Sequence, residues 1–260
     1  MPNSPTLAYK NAAFLDGPDA RSLRILAEYL QPLRELRRAH IHDTVVFFGS
    51  ARLSESGPLA RYYQEARQLA RLVTEWSRSL SAERHHFIVC SGGGGGIMEA
   101  ANRGAAEGGG RSIGFNIGLP HEQRPNAYVT PELCFEFHYF FMRKLWFAHL
   151  ARAMVVFPGG FGTLDELSEM LMLSQTGKLE RRIPILLYGT SYWREIIDFD
   201  ALVRHGMIGQ KDLDLFIRVD DPAAAFQVLK ERLLLEPEAE SPAFAKSVTS
   251  KDGHGLGRGP

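Results

Sequence analysis

Val155-Val156-Phe157-Pro158-Gly159-Gly160-Phe161-Gly162-Thr163-Leu164-Asp165-Glu166 carries the decisive reading of this 260-residue chain. An apolar run stops at Pro158, passes through a turn with three glycines, and resumes with leucines at 164, 167 and 171. That pattern predicts strand, tight loop, helix. Glycines let such a loop approach a ligand closely, and the free N–H groups at the helix start attract an anion, phosphate first. Thr163 and Glu166 also fit a capping box, in which the carboxylate returns to a backbone N–H and does no chemistry. Taken alone, these residues favour the cap.

The same alternation runs outward on both sides. Thr44–Phe48 predicts a strand ending at Gly49-Ser50, and Tyr62, Ala66, Leu69, Val73 and Trp76 mark one face of the helix after it. Phe87–Cys90 is the next strand, then Ser91 and five glycines before a helix over 97–106, and Ser112–Ile117 follows as a third. Residues 118–130 read as a surface loop near the site, 133–137 as a fourth strand, and 138–152 as an aromatic-rich helix. Strands at 183–188 and 215–219 and helices at 192–203 and 222–234 complete the set. Continuous apolar strands, each followed by a helix, predict one α/β domain: a Rossmann-like, doubly wound parallel sheet with helices on both faces. Its expected bounds are 43–235. Residues 1–42 read as an arm and a helix with Leu23, Leu26, Leu30 and Leu33 on its packing face, and 236–260 as a disordered tail.

Composition excludes several classes. Lysine plus arginine equals aspartate plus glutamate at 30 each, so no global field points to nucleic acid or to an anionic membrane. With no run of 18 apolar residues and no leader pattern, a cytoplasmic protein is expected. Cys90 and Cys134 lack CxxC spacing, which suits a reducing compartment and argues against structural zinc. The nine histidines show no HExxH, so no metal is expected.

Ligands of a doubly wound sheet sit outside the carboxyl ends of its strands. Glycine occurs there at Gly49, at Gly92–Gly96 and at Gly159–Gly162, enough for a molecule the length of a nucleotide. The dinucleotide fingerprint fails, because its third glycine would be Ile97 or Asp165, and no GxxxxGK[ST] surrounds Lys178. Arg143 and Lys144 fall near the start of a helix, where acidic side chains are normally preferred, so an anion is expected to compensate them. Topology brings that helix start to the edge where Glu166 lies. An arginine facing a carboxylate beside a phosphate loop suits cleavage of a bond next to a phosphorylated sugar.

These residues resemble the LOG-type phosphoribohydrolases, long labelled possible lysine decarboxylases. Pro158–Glu166 matches the family pattern PGGxGTxxE, Arg143-Lys144 stands 15 residues ahead of the motif proline as in the family, and Ser91–Ala106 is similar to its glycine-rich turn. The resemblance implies hydrolysis of the N-glycosidic bond of a nucleoside 5′-monophosphate, AMP or an N6-modified AMP such as a cytokinin precursor, with no cofactor. It implies Arg143 and Glu166 as catalytic, and a homodimer with the site at the interface. Gly159, Gly160, Gly162 and Thr163 would hold the phosphate, with Pro158, Lys144, Gly49 and Ser50 around it and Gly93, Gly94, Gly96 and Met98 along the second turn. Phe141 replaces a histidine of plant-type members and Gly95 a frequent proline, which places the chain nearer a longer bacterial branch. A non-catalytic carrier of a nucleotide-like cofactor is the alternative on this fold, and a pyridoxal-phosphate decarboxylase a weaker one, since no Schiff-base lysine stands out.

Overall fold

The structure, a computed structural model, describes residues 6–81, 86–118, 124–179 and 181–235. Helices α1 (Ala12–Asp16) and α2 (Arg21–Arg38) lead into β1 (Asp43–Phe48) and α3 (Ala60–Ser79). Then come β2 (Phe87–Ser91), α4 (Ile97–Glu107), β3 (Ser112–Ile117), β4 (Cys134–Phe137), α5 (Phe140–Leu150) and β5 (Ala151–Val156). The chain continues through α6 (Phe161–Gln175), β6 (Ile185–Tyr188), α7 (Thr190–Ile196), α8 (Phe199–Arg204), β7 (Phe216–Val219) and α9 (Pro222–Leu235).

All seven strands pair in parallel in the order β4-β3-β2-β1-β5-β6-β7. The strand order reverses between β1 and β5, so the turns after these two strands face each other across the crevice where doubly wound sheets bind ligands. Every residue of β1, β3 and β5 is buried, which is why they read as unbroken apolar runs. Alternate residues feed opposite cores. Val46 and Phe48 of β1 join the layer of α2, α5 and α6, whereas Val45 and Phe47 join that of α3, α4 and α9.

Three local expectations are corrected. The helix expected to reach Arg152 ends at Leu150, and β5 follows with no loop between them. Thr44 pairs with Ala151 and Val45 with Ala153, so Arg152 is the extra residue of a bulge, buried with its Nε 3.9 Å from Asp43. The single helix expected at 192–203 is two, because Asp198 accepts the Ala201 N–H at 2.8 Å and starts α8 afresh. On α2, Leu33 and Leu36 enter the core, but Leu23, Leu26 and Leu30 stay about half exposed.

The arm ahead of α2 contains helical turns pinned by Arg24, whose Nη1 donates to the carbonyls of Leu15 and Gly17. The tail expected at 236–260 and the loop residues 119–123 lie outside the described residues. Among the described residues no helix is long and apolar enough to cross a membrane.

Candidate active site

The three glycine turns meet. Phe157 N–H donates to the Phe48 carbonyl at 2.8 Å, Ser50 N–H to the Pro158 carbonyl at 3.0 Å, and Ile97 N–H to the Ser50 carbonyl at 3.1 Å. Close approach explains several of these glycines. A Cβ on Gly49 would lie 2.7 Å from the Ile97 side chain, and one on Gly96, where φ is +65°, only 2.2 Å from the Ser50 carbonyl oxygen. A Cβ on Gly159 would meet Thr163 Oγ1 at 2.1 Å and Ser50 N at 2.9 Å. Gly160 and Gly162 differ, since a Cβ on either meets nothing within 4 Å and neither has a positive φ. Nothing in the chain itself asks for glycine there.

The second turn is held from below. Asn126 donates its side-chain N–H groups to the carbonyls of Gly93 and Gly94 and to Asn102 Oδ1, and Ser91 Oγ donates to the same Asn102 oxygen. The described end of the loop before β4 therefore reaches the second glycine turn. Met98 lies one position into α4, its sulfur over Gly92.

The capping box is not formed. Gly160 is the N-cap of α6, its carbonyl accepts the N–H groups of Thr163 and Leu164 at 3.0 Å, and no side chain caps this end. Thr163 is thus the third residue of the helix, and Glu166 faces inward a turn later, 3% exposed. The N–H groups of Phe161 and Gly162 precede any intrahelical acceptor, so the start of α6 presents bare donors between two open glycines.

Glu166 instead meets α5. Arg143 Nη2 lies 3.4 Å and Lys144 Nζ 3.6 Å from its carboxylate, and Lys144 is also 2.9 Å from both Asp165 and Glu169. The anions expected beside the basic pair are therefore carboxylates one helix away. Burial raises the Glu166 carboxyl above its ordinary range, against the pull of Lys144 and Arg143. Burial likewise lowers Arg143 despite Glu166, so desolvation outweighs attraction on both partners. Arg143 is under-satisfied: its contact with Glu166 is long and its Nε is buried with no acceptor. Its guanidinium is held between the Phe140 and Phe147 rings at 5.3 and 5.8 Å. Lys144 moves the other way, for although burial lowers it, hydrogen bonds to Asp165 and Glu169 keep it ammonium.

Two supports carried no motif signal. Tyr192 of α7 donates its hydroxyl to the Gly159 carbonyl at 2.7 Å, and Glu28 of α2 accepts the N–H groups of His138 and Tyr139 at 2.8 and 3.2 Å. Asp165 and Glu169, four residues apart on α6, were legible in principle as partners for a basic pair on a neighbouring helix.

An open pair of glycines at a helix start lies beside a buried arginine and carboxylate at the switch point of a parallel α/β sheet, the arrangement of a candidate anion site. The chain belongs to the family described as possible lysine decarboxylase, the LOG family, whose profile matches residues 98–229, half of its length. Among curated proteins no match is found. Among solved structures it resembles TM1055, a structural genomics target, with 20% identity, a TM-score of 0.52, and coverage of 73% of this chain and 99% of that one. It also resembles a Moco carrier protein from Chlamydomonas reinhardtii, with 20% identity, a TM-score of 0.50, and coverage of 74% and 98%. These likenesses share the Rossmann-like fold.

Proposed function

We propose that the chain hydrolyses the N-glycosidic bond of a nucleoside 5′-monophosphate, AMP or an N6-modified AMP, to free base and ribose 5-phosphate. The observation that carries this reading is the buried Arg143–Glu166 contact beside the uncapped start of α6. The 5′-phosphate would take the Phe161 and Gly162 N–H groups, with Gly160 and Gly162 leaving room for its oxygens. Ribose C1′ would then lie toward Glu166, whose carboxylate stabilises the oxocarbenium-like state and takes a proton from the attacking water. The water oxygen bonds to C1′ as the C1′–N bond breaks, and the base leaves with that electron pair and gains a proton from solvent. Lys144 and Arg143 favour the ionised form of Glu166 against its burial, and Arg143 offers further donors to ribose or phosphate oxygens. Lys144 secures α5 against α6 through three carboxylates.

That same Lys144 environment speaks against a decarboxylase working through a Schiff base at this position. Such chemistry needs a free amine, and here the surrounding carboxylates favour the ammonium. A homodimer with the site at its interface belongs to this reading. Phe161 is 91% exposed, and Phe140 and Phe141 are 49% and 48% exposed. A second subunit would cover these rings and wall the open edge.

The alternative is a carrier that binds a nucleotide-like cofactor without cleaving it, a reading favoured by the Moco carrier among its fold relatives. The experiment that separates them compares the wild type with Glu166→Gln for release of free base from AMP. Under hydrolysis the wild type releases base and the variant binds AMP without turning it over. Tight AMP binding by both with no base from either would establish the carrier reading.

A further inference from the structure

We propose that Glu28, on a helix ahead of the region matched by the family profile, is a positioning residue for the helix that carries Arg143 and Lys144. The inference rests on reading that pair as part of the site. Helices α4, α5 and α6 are among those that start at the carboxyl edge, and a helix start is a place where an anion is favoured. At α4 the first N–H is already given to the Ser50 carbonyl. At α5 both carboxylate oxygens of Glu28 are in use, Oε1 by His138 N–H at 2.8 Å and Oε2 by Tyr139 N–H at 3.2 Å. Neither the N-cap residue of α5 nor that of α6 caps its helix with a side chain. Glu28 thus anchors the two residues that lead into α5, His138 and the N-cap Tyr139, and fixes where that helix begins.

Glu28 also belongs to a two-point grip. Its backbone carbonyl accepts Trp146 Nε1 at 3.0 Å, Tyr29 stacks on Trp146 at 5.6 Å, and the Arg21 guanidinium sits 5.6 Å from the Tyr139 ring. Tyr139 and Trp146 stand two helical turns apart, with Arg143 between them. Contacts at both ends set the rotation of α5 about its axis, and with it the direction of Arg143. The Arg143–Glu166 contact at 3.4 Å is at the outer limit of a hydrogen bond, so a rotation that moves the guanidinium by about 1 Å breaks it. Glu28 touches no reacting atom; it acts through Arg143.

The test uses full-length wild type, Glu28→Ala and Glu28→Gln, measuring AMP turnover and amide hydrogen exchange. The alanine variant should lose about tenfold or more in kcat with KM within about threefold, since the α6 phosphate site is intact. Exchange should rise in the first turn of α5 and not of α6. Glutamine, of the same shape and still able to accept one N–H, should restore kcat to within about threefold of wild type. An alanine variant with unchanged kcat and only a lower Tm would make Glu28 a structural cap and overturn the proposal. If the wild type cleaves no monophosphate, the hydrolase reading fails by itself. Glu28 is then judged by exchange: faster exchange at the start of α5 but not of α6 in the alanine variant, reversed by glutamine, supports the positioning role, and unchanged exchange in α5 overturns it.

Discussion

At the scale of single residues, the glycines of the motif divide by what their missing Cβ would meet. Gly162 lies within α6 with open space around it, so Gly162→Ala should stabilise the fold by about 1 kcal/mol, a rise of about 2–4 °C in Tm for a chain of this size. The same substitution should weaken ribose 5-phosphate binding, and calorimetry beside a melting curve reads both; a stabilised variant with unchanged affinity would remove Gly162 from the phosphate site. Gly159→Ala should do the reverse to stability, losing about 1–3 kcal/mol in a urea titration as the new methyl meets Thr163 and Ser50. Glu166 adds a pH signature. Its carboxyl is raised by burial, and the ionised form is the working one, so kcat/KM should fall as pH drops through a value above the ordinary glutamate range. Lys144 lowers that carboxyl, so Lys144→Met should move the acid limb to higher pH. A limb that stays in place would show that the titrating group is not Glu166.

At the scale of elements, α3 and α4 touch through Gly104, where a Cβ would stand 2.1 Å from the Arg67 carbonyl oxygen. Gly104→Ala should therefore cost about 1–3 kcal/mol by urea denaturation while leaving ligand affinity of the folded protein unchanged. The strands and most helices could be read from the chain because a sheet buried on both faces leaves no polar alternation to obscure an apolar run. The junction at Leu150–Ala151 could not, since Ala151, Arg152 and Ala153 continue a helical composition and only the buried bulge beside Asp43 shows that they are strand. The split between α7 and α8 was written in Asp198, a capping side chain hidden within an apolar period. In the site, spacing and topology placed Arg143 and Glu166 at one edge, but a Thr-x-x-Glu motif also suggested a cap. Three-dimensional contact decides against it, because the helix begins at Phe161. Glu28 and Tyr192 act through backbone groups far along the chain, a kind of contact that residue patterns do not record.

At the scale of the whole molecule, a chain with no net charge keeps its chemistry local, in one crevice stitched by three backbone hydrogen bonds. The proposed dimer predicts a sedimenting species of twice the chain mass, and Phe161→Glu should shift it toward monomer, since a charge would have to be buried at the interface. Sedimentation of a monomer at all concentrations would contradict the interface. The most direct test of the central proposal is the product balance of purified protein incubated with AMP, N6-modified AMP, GMP and CMP. Hydrolysis at the Arg143–Glu166 site predicts free base and ribose 5-phosphate in equal amounts from at least one adenine nucleotide. Saturable binding with the intact nucleotide recovered in every case would contradict it.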